Sequence, residues 1–201
     1  MSSPPANPAL RARYDRRRAQ VVAAAARVFA ERGYHATSMQ DLIEATGLTA
    51  GGLYHYISGK DALLVAICDE LMEPLLEQAH EIVAEPAPAD VHLRELVRAW
   101  VAHVERSRDH MLVFMQERHV LERDPRWRHV RRQRKEFEEL LADVLERGER
   151  EGVLRFADRG LALRALLGMV NHTPQWYRPN GRLNVSEIAD GYLDLLCASS
   201  C

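Results

Sequence analysis

Hydrogen-bond donors suited to phosphate oxygens cluster in one short segment of the chain. Thr49 and Tyr54 supply hydroxyl groups, His55 supplies a ring N–H, and Lys60 supplies an ammonium group. Donors of these types make many of the contacts by which proteins hold a nucleic-acid backbone. The segment therefore predicts phosphate binding, provided that the local structure brings these donors to one side.

Two short helices joined by a tight turn are predicted around these donors. Ser38 is a favourable N-cap for the first helix, and Asp41 stands where a carboxylate completes a capping box. Gly47 follows that helix at the position where glycine commonly adopts a positive φ. Thr49 then caps a second helix over about residues 50–56. These signals together predict a helix-turn-helix.

The second helix of this motif, which spans residues 38–57, has a composition that favours contact with DNA. Gly51 and Gly52 each cost about 1 kcal/mol relative to alanine in a helix, which indicates a backbone that approaches another molecule closely. In helix-turn-helix proteins the N-terminal part of the second helix enters the major groove. We expect both glycines to face outward with Tyr54 and His55; the alternative is an ordinary helical hairpin with surface aromatic residues. The candidate DNA-binding residues are Ser38, Thr49, Ala50, Gly51, Tyr54, His55 and Lys60.

Residues 16–76 resemble the DNA-binding domain of the TetR family of bacterial transcriptional regulators. The matching features are Phe29 and Gly33, Thr37-Ser38, Asp41-Leu42-Ile43, Gly47-Leu48-Thr49, and Gly51-x-Leu53-Tyr54-His55-Tyr56-Ile57 followed by Lys60. Ile57, where the family usually has Phe, and Glu44-Ala45, where Ala-x-x-Ala is commoner, depart from the pattern but keep the packing. The resemblance implies an all-α fold and an inverted-repeat operator in double-stranded DNA. It also implies a homodimer and a C-terminal pocket whose small-molecule effector releases DNA.

Helical periodicity continues through the rest of the chain, and about nine helices are predicted in all. One helix precedes the motif over about residues 16–32, and another begins near Lys60. Further helices are predicted over about residues 91–107, 109–122, 126–151, 159–177 and 184–198. The predicted domains are a flexible basic arm at residues 1–15, a DNA-binding domain at 16–76, and a ligand-binding and dimerisation domain at 77–201.

Charge is divided unevenly along the chain. The formal net charge is −2, but residues 1–66 hold eight Lys and Arg against five Asp and Glu, and so carry +3. The basic side chains are concentrated at Arg11, Arg13, Arg16, Arg17 and Arg18. Such a cluster favours the salt-sensitive, sequence-independent part of DNA affinity. The alternative is a solvated start of the first helix.

The last two predicted helices carry apolar stripes too wide to face one neighbour. Broad apolar coverage indicates burial on more than one side. We expect these helices to pair with their copies in a homodimer, as the family resemblance also implies; the alternative is a core within one chain. The stripes contain Leu161, Ala165, Leu166, Leu167, Met169 and Val170, then Val185, Ile188, Ala189, Tyr192, Leu193, Leu195 and Leu196.

The effector pocket that the resemblance implies is expected where large apolar side chains lie beside arginines. Trp176-Tyr177-Arg178-Pro179-Asn180-Gly181-Arg182-Leu183 is similar to a segment of TetR-type repressors of lipid and steroid catabolism, several of which respond to acyl-CoA thioesters. Arginines at the mouth of an apolar cavity suit a phosphorylated head group. Another lipophilic ligand, or no ligand, remains the alternative. The candidate effector-binding residues are Phe114, Met115, Arg118, Trp127, Arg131 and Trp176.

Other classes of protein lack support in the sequence. No nucleophile elbow, phosphate-binding glycine loop or zinc-protease motif is present, so we expect no catalysis, cofactor or metal. No apolar run approaches the ~20 residues that cross a bilayer, which predicts a cytoplasmic protein without a membrane partner. We expect Cys197 and Cys201 to be unpaired thiols. A DNA-compacting protein, or a regulator without a ligand, is the alternative function.

Overall fold

The computed structural model describes residues 6–118 and 127–197 of the chain. Nine helices lie within these residues, and the prediction of an all-α fold is confirmed. They are α1 (Pro8–Arg32), α2 (Met39–Thr46), α3 (Ala50–Tyr56), α4 (Lys60–Ala84), α5 (Ala89–Arg106), α6 (Arg108–Gln116), α7 (Arg128–Glu151), α8 (Arg159–Trp176) and α9 (Val185–Cys197). The helix predicted over 109–122 ends earlier, at Gln116, with Glu117 as its C-cap; residues 119–126 and Cys201 lie outside the described residues.

Local capping interactions fix the ends of α2 and the start of α3. Ser38 Oγ accepts from the Asp41 N–H at 3.2 Å, while Asp41 Oδ2 accepts from the Ser38 N–H at 2.8 Å. Hydrogen bonds from Ser38 hold the pKa of the Asp41 carboxyl below its usual value. Gly47 follows α2 at φ 63°, and Thr49 Oγ1 accepts from the Gly52 N–H at 3.1 Å. The predicted caps are therefore confirmed.

Helix α1 begins at Pro8, well before the predicted start near residue 16. Asn7 Oδ1 accepts from the N–H groups of Ala9 at 3.0 Å and Leu10 at 3.4 Å, and so caps the helix. Proline suits the first helical position because its missing N–H would have no partner there. Residues 8–15 thus form the first turns of α1, and residues 1–5 lie outside the described residues.

The head, which we define as α1, α2, α3 and the first two turns of α4, surrounds one small core. α1 packs against α2, α3 and α4, so the long helix is the support for the helix-turn-helix. Phe29, Leu42, Leu53 and Leu63 are fully buried, and Ile57 is 2% exposed. Burying such side chains stabilises the fold by about 1.5–3 kcal/mol each.

The body, which we define as the rest of α4 with α5–α9, is built around α5. This helix packs against α4, α7, α8 and α9, and α1 of the head packs against α6. At that junction the Tyr34 N–H donates to Glu117 Oε1 at 3.4 Å. Head and body are therefore joined both by the continuous helix α4 and by the contact of α1 with α6.

Capping also sets the start of the last two helices. Asp158 Oδ1 accepts from the Leu161 N–H at 2.6 Å before α8. A capping box begins the last helix: Asn184 Oδ1 accepts from the Glu187 N–H at 3.0 Å, and Glu187 Oε2 accepts from the Asn184 N–H at 2.8 Å. No helix within residues 6–118 or 127–197 is both long and apolar enough to cross a membrane.

Substitution of Gly47 by alanine is expected to destabilise the head. An L-residue in the left-handed region costs roughly 1–2 kcal/mol, so Gly47→Ala should lower the free energy of unfolding by that amount. Gly51→Ala is the matched control, because Gly51 lies in α3 with no atom within 4 Å of an added Cβ. It should raise the free energy of unfolding by at most about 1 kcal/mol. Urea unfolding at one protein concentration measures the free energy of unfolding of the two variants. An equal decrease in both variants would contradict the left-handed turn at Gly47.

Candidate nucleic-acid interface and ligand cavity

One face of α3 is open to solvent, and the opposite face is buried in the head. Ala50, Gly51, Tyr54 and His55 are exposed, whereas Leu53 is fully buried. The predicted groove-facing side chains therefore share the free side of a helix that is fixed from behind. This is the arrangement by which a recognition helix meets base edges and phosphates.

Gly52 departs from the prediction that both glycines face outward. It is half-buried, and a Cβ added there would lie 3.2 Å from Thr49 Oγ1 and 3.6 Å from Leu48 Cβ. A side chain at this position would make Thr49 or Leu48 shift by a few tenths of an ångström, so Gly52 serves close packing within the turn. Gly51, with open space around it, is the glycine at which another molecule can approach the backbone closely.

The hydroxyls of Ser38 and Thr49 are both committed to capping, in different ways. Ser38 Oγ donates to Asp41 Oδ2 at 2.6 Å and also accepts from the Asp41 N–H, so its single O–H is engaged within the head. Thr49 Oγ1 accepts from Gly52, and a hydroxyl retains its own hydrogen when it accepts. Thr49 is therefore better suited than Ser38 to donate to a phosphate.

Lys60 is directed into the head rather than toward solvent. Its ammonium group donates to the backbone carbonyls of Tyr34 at 2.8 Å, Thr37 at 3.0 Å and His35 at 3.4 Å. The same ammonium lies 4.5 Å from the centroid of the Tyr34 ring. An ammonium has three N–H donors, and these three carbonyls occupy them. Lys60 thus ties the first turn of α4 to the loop between α1 and α2.

The first turns of α1 lie against the carboxyl end of α3. The Tyr14 ring packs against His55 and Tyr56, with centroid distances of 5.5 and 5.1 Å, and its hydroxyl donates to the His55 carbonyl at 3.5 Å. Arg13, Arg16 and Arg17 line an open cleft beside these aromatic rings. The basic face of α1 and the exposed face of α3 are therefore neighbours on one surface, and Tyr14 holds them together.

A small internal cavity of about 40 Å³ lies between α4, α5, α6, α7 and α8. Its volume is little more than the ~30 Å³ that one water molecule occupies in the liquid. The apolar lining is formed chiefly by Leu71, Met72, Leu75, Trp100, Phe114 and Phe137. The polar side chains that reach it are His103, Arg134, Glu138 and Asn171. This composition, apolar with a few convergent polar groups, is typical of small-molecule sites.

Of the predicted effector-binding residues, Phe114 lines this cavity. The described lining does not include Met115, Arg118, Trp127, Arg131 or Trp176. Trp127 is 1% exposed and packs in the core, while Trp176 at the end of α8 is 44% exposed. The sequence pattern also missed Arg134, which donates to Glu138 Oε1 at 3.1 Å. Arg134 lies one turn before Phe137, and this spacing was the signal that places both on one helical face.

Comparison with known proteins agrees with both halves of this architecture. Residues 21–67 match the family described as "Bacterial regulatory proteins, tetR family". Residues 86–199 match "Tetracyclin repressor-like, C-terminal domain". The chain belongs to the TetR family. It is a DNA-binding transcriptional regulator rather than an enzyme.

Named TetR-family relatives resemble this chain over most of its length. The HTH-type transcriptional repressor KstR2 of Rhodococcus jostii is 31% identical, and the match covers 90% of this chain and 89% of that protein. The structure of the ketosteroid transcriptional regulator KstR2 of Mycobacterium tuberculosis has a TM-score of 0.84 at 27% identity, covering 90% and 93% of the two chains. The structure of AibR in complex with isovaleryl coenzyme A and operator DNA has a TM-score of 0.77 at 29% identity. The match covers 90% of this chain and 98% of AibR.

Lys60 and the arginines of α1 are expected to differ in how their loss affects this regulator. Lys60→Ala should lower the free energy of unfolding by about 1–3 kcal/mol, because it leaves hydrogen-bonded carbonyls without their donor. The Arg13→Ala, Arg16→Ala double variant should change stability by less than about 0.5 kcal/mol. It should instead make the slope of log affinity against log salt shallower by about 2, through the loss of two phosphate contacts.

Urea unfolding and fluorescence anisotropy on a labelled DNA duplex at several salt concentrations measure these two effects. The assignment of Lys60 is wrong if Lys60→Ala keeps the stability of the parent protein and makes the salt slope shallower.

Proposed function

We propose that this regulator is a repressor that binds an inverted-repeat operator as a homodimer, with one α3 helix in each major groove. The observation that carries the proposal is the exposed face of α3, on which Ala50, Gly51, Tyr54 and His55 stand clear of the head. The named KstR2 relatives are repressors, which supports this sign of regulation. Two-fold symmetry of the protein requires two-fold symmetry of the operator.

Residues at the N-terminal end of α3 determine which operator sequence is preferred. The donors that flank them determine the overall affinity for DNA. Ala50 and Gly51 have no long side chain, so the α3 backbone can lie close to base edges there. Tyr54 and Thr49 donate hydroxyl groups to phosphates, and the α1 arginines extend this backbone contact beyond α3. Lys60 acts indirectly in this arrangement, because it holds the loop against which α3 and α4 are positioned.

The second copy of the chain is proposed to pack against α8 and α9. Leu161 on α8 is 63% exposed and Leu195 on α9 is 69% exposed. Both border a surface groove of about 200 Å³ that is mostly apolar and also includes Phe156, Ala165 and Leu196. In a two-fold pair the same patch occurs on both subunits, so each leucine can enter the partner's groove. A four-helix interface of this kind covers the apolar stripes of both helices.

A lipophilic effector, of the acyl-CoA thioester class, is proposed to bind where the small cavity now lies and to release the operator. The structure of AibR in complex with isovaleryl coenzyme A and operator DNA supports this class. Ligand sites occupy about 300–1,000 Å³, so the helices around the 40 Å³ cavity must separate for such a ligand. Arg134 at the wall, with Arg131 one turn before it on α7, can meet an anionic head group.

Footprinting is expected to show a symmetric site, with half-sites one helical turn of DNA or a multiple of it apart. Tyr54→Phe should weaken binding to all duplexes alike, because it removes a phosphate donor. Ala50→Ser and Gly51→Ala should change which bases are preferred in selection from a random duplex library. Arg132 is exposed on α7, and Arg132→Ala is the control. It should leave both the affinity for duplexes and the base preference unchanged.

The same preparation tests the dimer by sedimentation. The Leu161→Glu, Leu195→Glu double variant should sediment as a monomer and lose the symmetric footprint. Leu10→Glu alters a leucine that is 54% exposed on α1 and should remain a dimer. An asymmetric footprint from a monomer would refute the proposed repressor, and uniform coating of any duplex would favour the DNA-compacting alternative.

Titration of the operator complex with acyl-CoA thioesters and the matching free acids is expected to release DNA with the thioesters only. Phe137→Trp, which fills the apolar wall, should raise the thioester concentration needed for release about tenfold or more while leaving ligand-free binding to the operator intact. Val153→Met, a change at a residue that is 45% exposed and lies outside the cavity, is the control. Release by the free acids alone would overturn the acyl-CoA class. No release by any acyl compound would favour a regulator without this ligand.

A further inference from the structure

One hydrogen bond in the wall of the cavity joins α5 to the backbone of α4. His103 is 5% exposed, and its Nε2 lies 2.8 Å from the Leu71 carbonyl oxygen. A carbonyl oxygen only accepts, so Nε2 carries the proton and donates. Burial lowers the pKa of His103, so the ring is neutral at neutral pH and this is its one N–H group.

The carbonyl that accepts this bond belongs to the turn before a proline inside α4. Pro74 has no N–H for the helical ladder, and its ring crowds the turn that precedes it. Sharp bends of helices concentrate at such positions. Contacts from neighbouring helices therefore decide the direction of α4 near Pro74 more than they would in an uninterrupted helix. The His103 bond acts on the side of Pro74 that leads to the head.

Both partners of this bond also line the cavity. Leu71 and His103 contribute to its wall, together with the Arg134–Glu138 ion pair and Asn171. A ligand that carries a carbonyl oxygen on an apolar body would find in the cavity wall a His103 side chain whose N–H donates to Leu71. Taking that donor removes the bond to Leu71, because a neutral imidazole has only one N–H.

We propose that His103 is the positioning residue of α4 and the hydrogen-bond donor that senses the effector. In the ligand-free protein the His103 N–H donates to the Leu71 carbonyl. This bond keeps α4 in the direction that places the head for DNA binding. An acyl thioester in the cavity accepts the same N–H through its carbonyl oxygen, and α4 is then released from α5. The sensing step rests on the proposed function, in which a ligand at this cavity releases the operator.

A matched control exists on the same helix. His92 is 1% exposed, and its Nε2 lies 2.9 Å from the Glu85 carbonyl oxygen, the residue that follows α4. It therefore also bonds a backbone carbonyl through Nε2, but its Nδ1 accepts from the Arg147 guanidinium and it does not line the cavity. A merely structural role for His103 would make the two histidines respond alike to substitution.

The first experiment measures operator affinity without any ligand, by fluorescence anisotropy on the operator selected by the parent protein. His103→Phe should weaken binding at least fivefold, whereas His92→Phe should change it less than twofold. His103→Gln should restore binding to within twofold, because its amide can donate from nearly the same position. If His103→Phe does not fold, His103→Asn replaces it, since its shorter amide cannot reach Leu71.

Pro74→Ala tests whether the effect of the His103–Leu71 bond on operator affinity depends on the proline in α4. It restores a helical N–H in α4, so adding His103→Phe to Pro74→Ala should cost less than twofold in affinity. The positioning role is overturned if His103→Phe equals His92→Phe, or if the fivefold loss persists in the Pro74→Ala protein. Absence of operator binding by the parent protein would instead refute the proposed function itself.

The second experiment uses isovaleryl-CoA and the 3-methylbutyl thioether of CoA, which lacks the carbonyl oxygen. The thioester should release the operator from the parent protein at a concentration at least tenfold lower than the thioether. Equal potency of the two overturns the role of the carbonyl oxygen. Failure of both overturns sensing of an acyl thioester by His103, while the ligand-free measurements still decide the positioning role.

Discussion

The Lys60 ammonium holds together the part of the molecule on which the remaining geometry depends. Its bonds to the carbonyls of Tyr34, His35 and Thr37 join the first turn of α4 to the loop between α1 and α2. Asp61, the next residue, accepts a hydrogen bond from the Tyr34 hydroxyl and strengthens the same junction. Charge-assisted hydrogen bonds are about twice as strong as neutral ones, so one flexible side chain can fix this loop. The start of α4 is thereby fixed relative to α1 and α2, and α3 packs against both of these helices.

Local signals predicted the head well, because its turns are specified by neighbouring residues. The Ser38–Asp41 box, the positive φ of Gly47 and the Thr49 cap each depend on groups within four residues of one another. Lys60 shows the limit of prediction from neighbouring residues. Its donor chemistry suited a phosphate equally well, and only tertiary structure reveals three carbonyls more than twenty residues earlier in the chain. The sequence alone does not identify which acceptors a side chain with three N–H donors will bind.

The ligand cavity could be predicted only as a region, for a related reason. Helical spacing identifies which residues share a face, as for Arg134 and Phe137, but the choice of inward face needs the neighbouring helices. Trp127 and Trp176 illustrate this limit, since residues of one type lie in the core and at the surface. The proline-rich beginning of the chain favours an arm over a helix, so the start of α1 at Pro8 is not predicted from composition. Asn7 as a cap, with proline in the first helical position, indicates the helix instead.

The magnitudes of the interactions along α4 suit a regulator that must change state. A ligand that prefers the released state by 100-fold contributes about 2.7 kcal/mol per site. A neutral hydrogen bond such as that of His103 to Leu71 is worth about 0.5–1.5 kcal/mol net, and so lies within reach of such a ligand. The bonds of Lys60 involve a charged group, are several in number, and hold more strongly. In the proposed mechanism, a ligand at the cavity therefore loosens α4 at its middle before it disturbs the helix-turn-helix. In the proposed dimer the head then moves as an intact unit, which changes the spacing between the two recognition helices without unfolding either one.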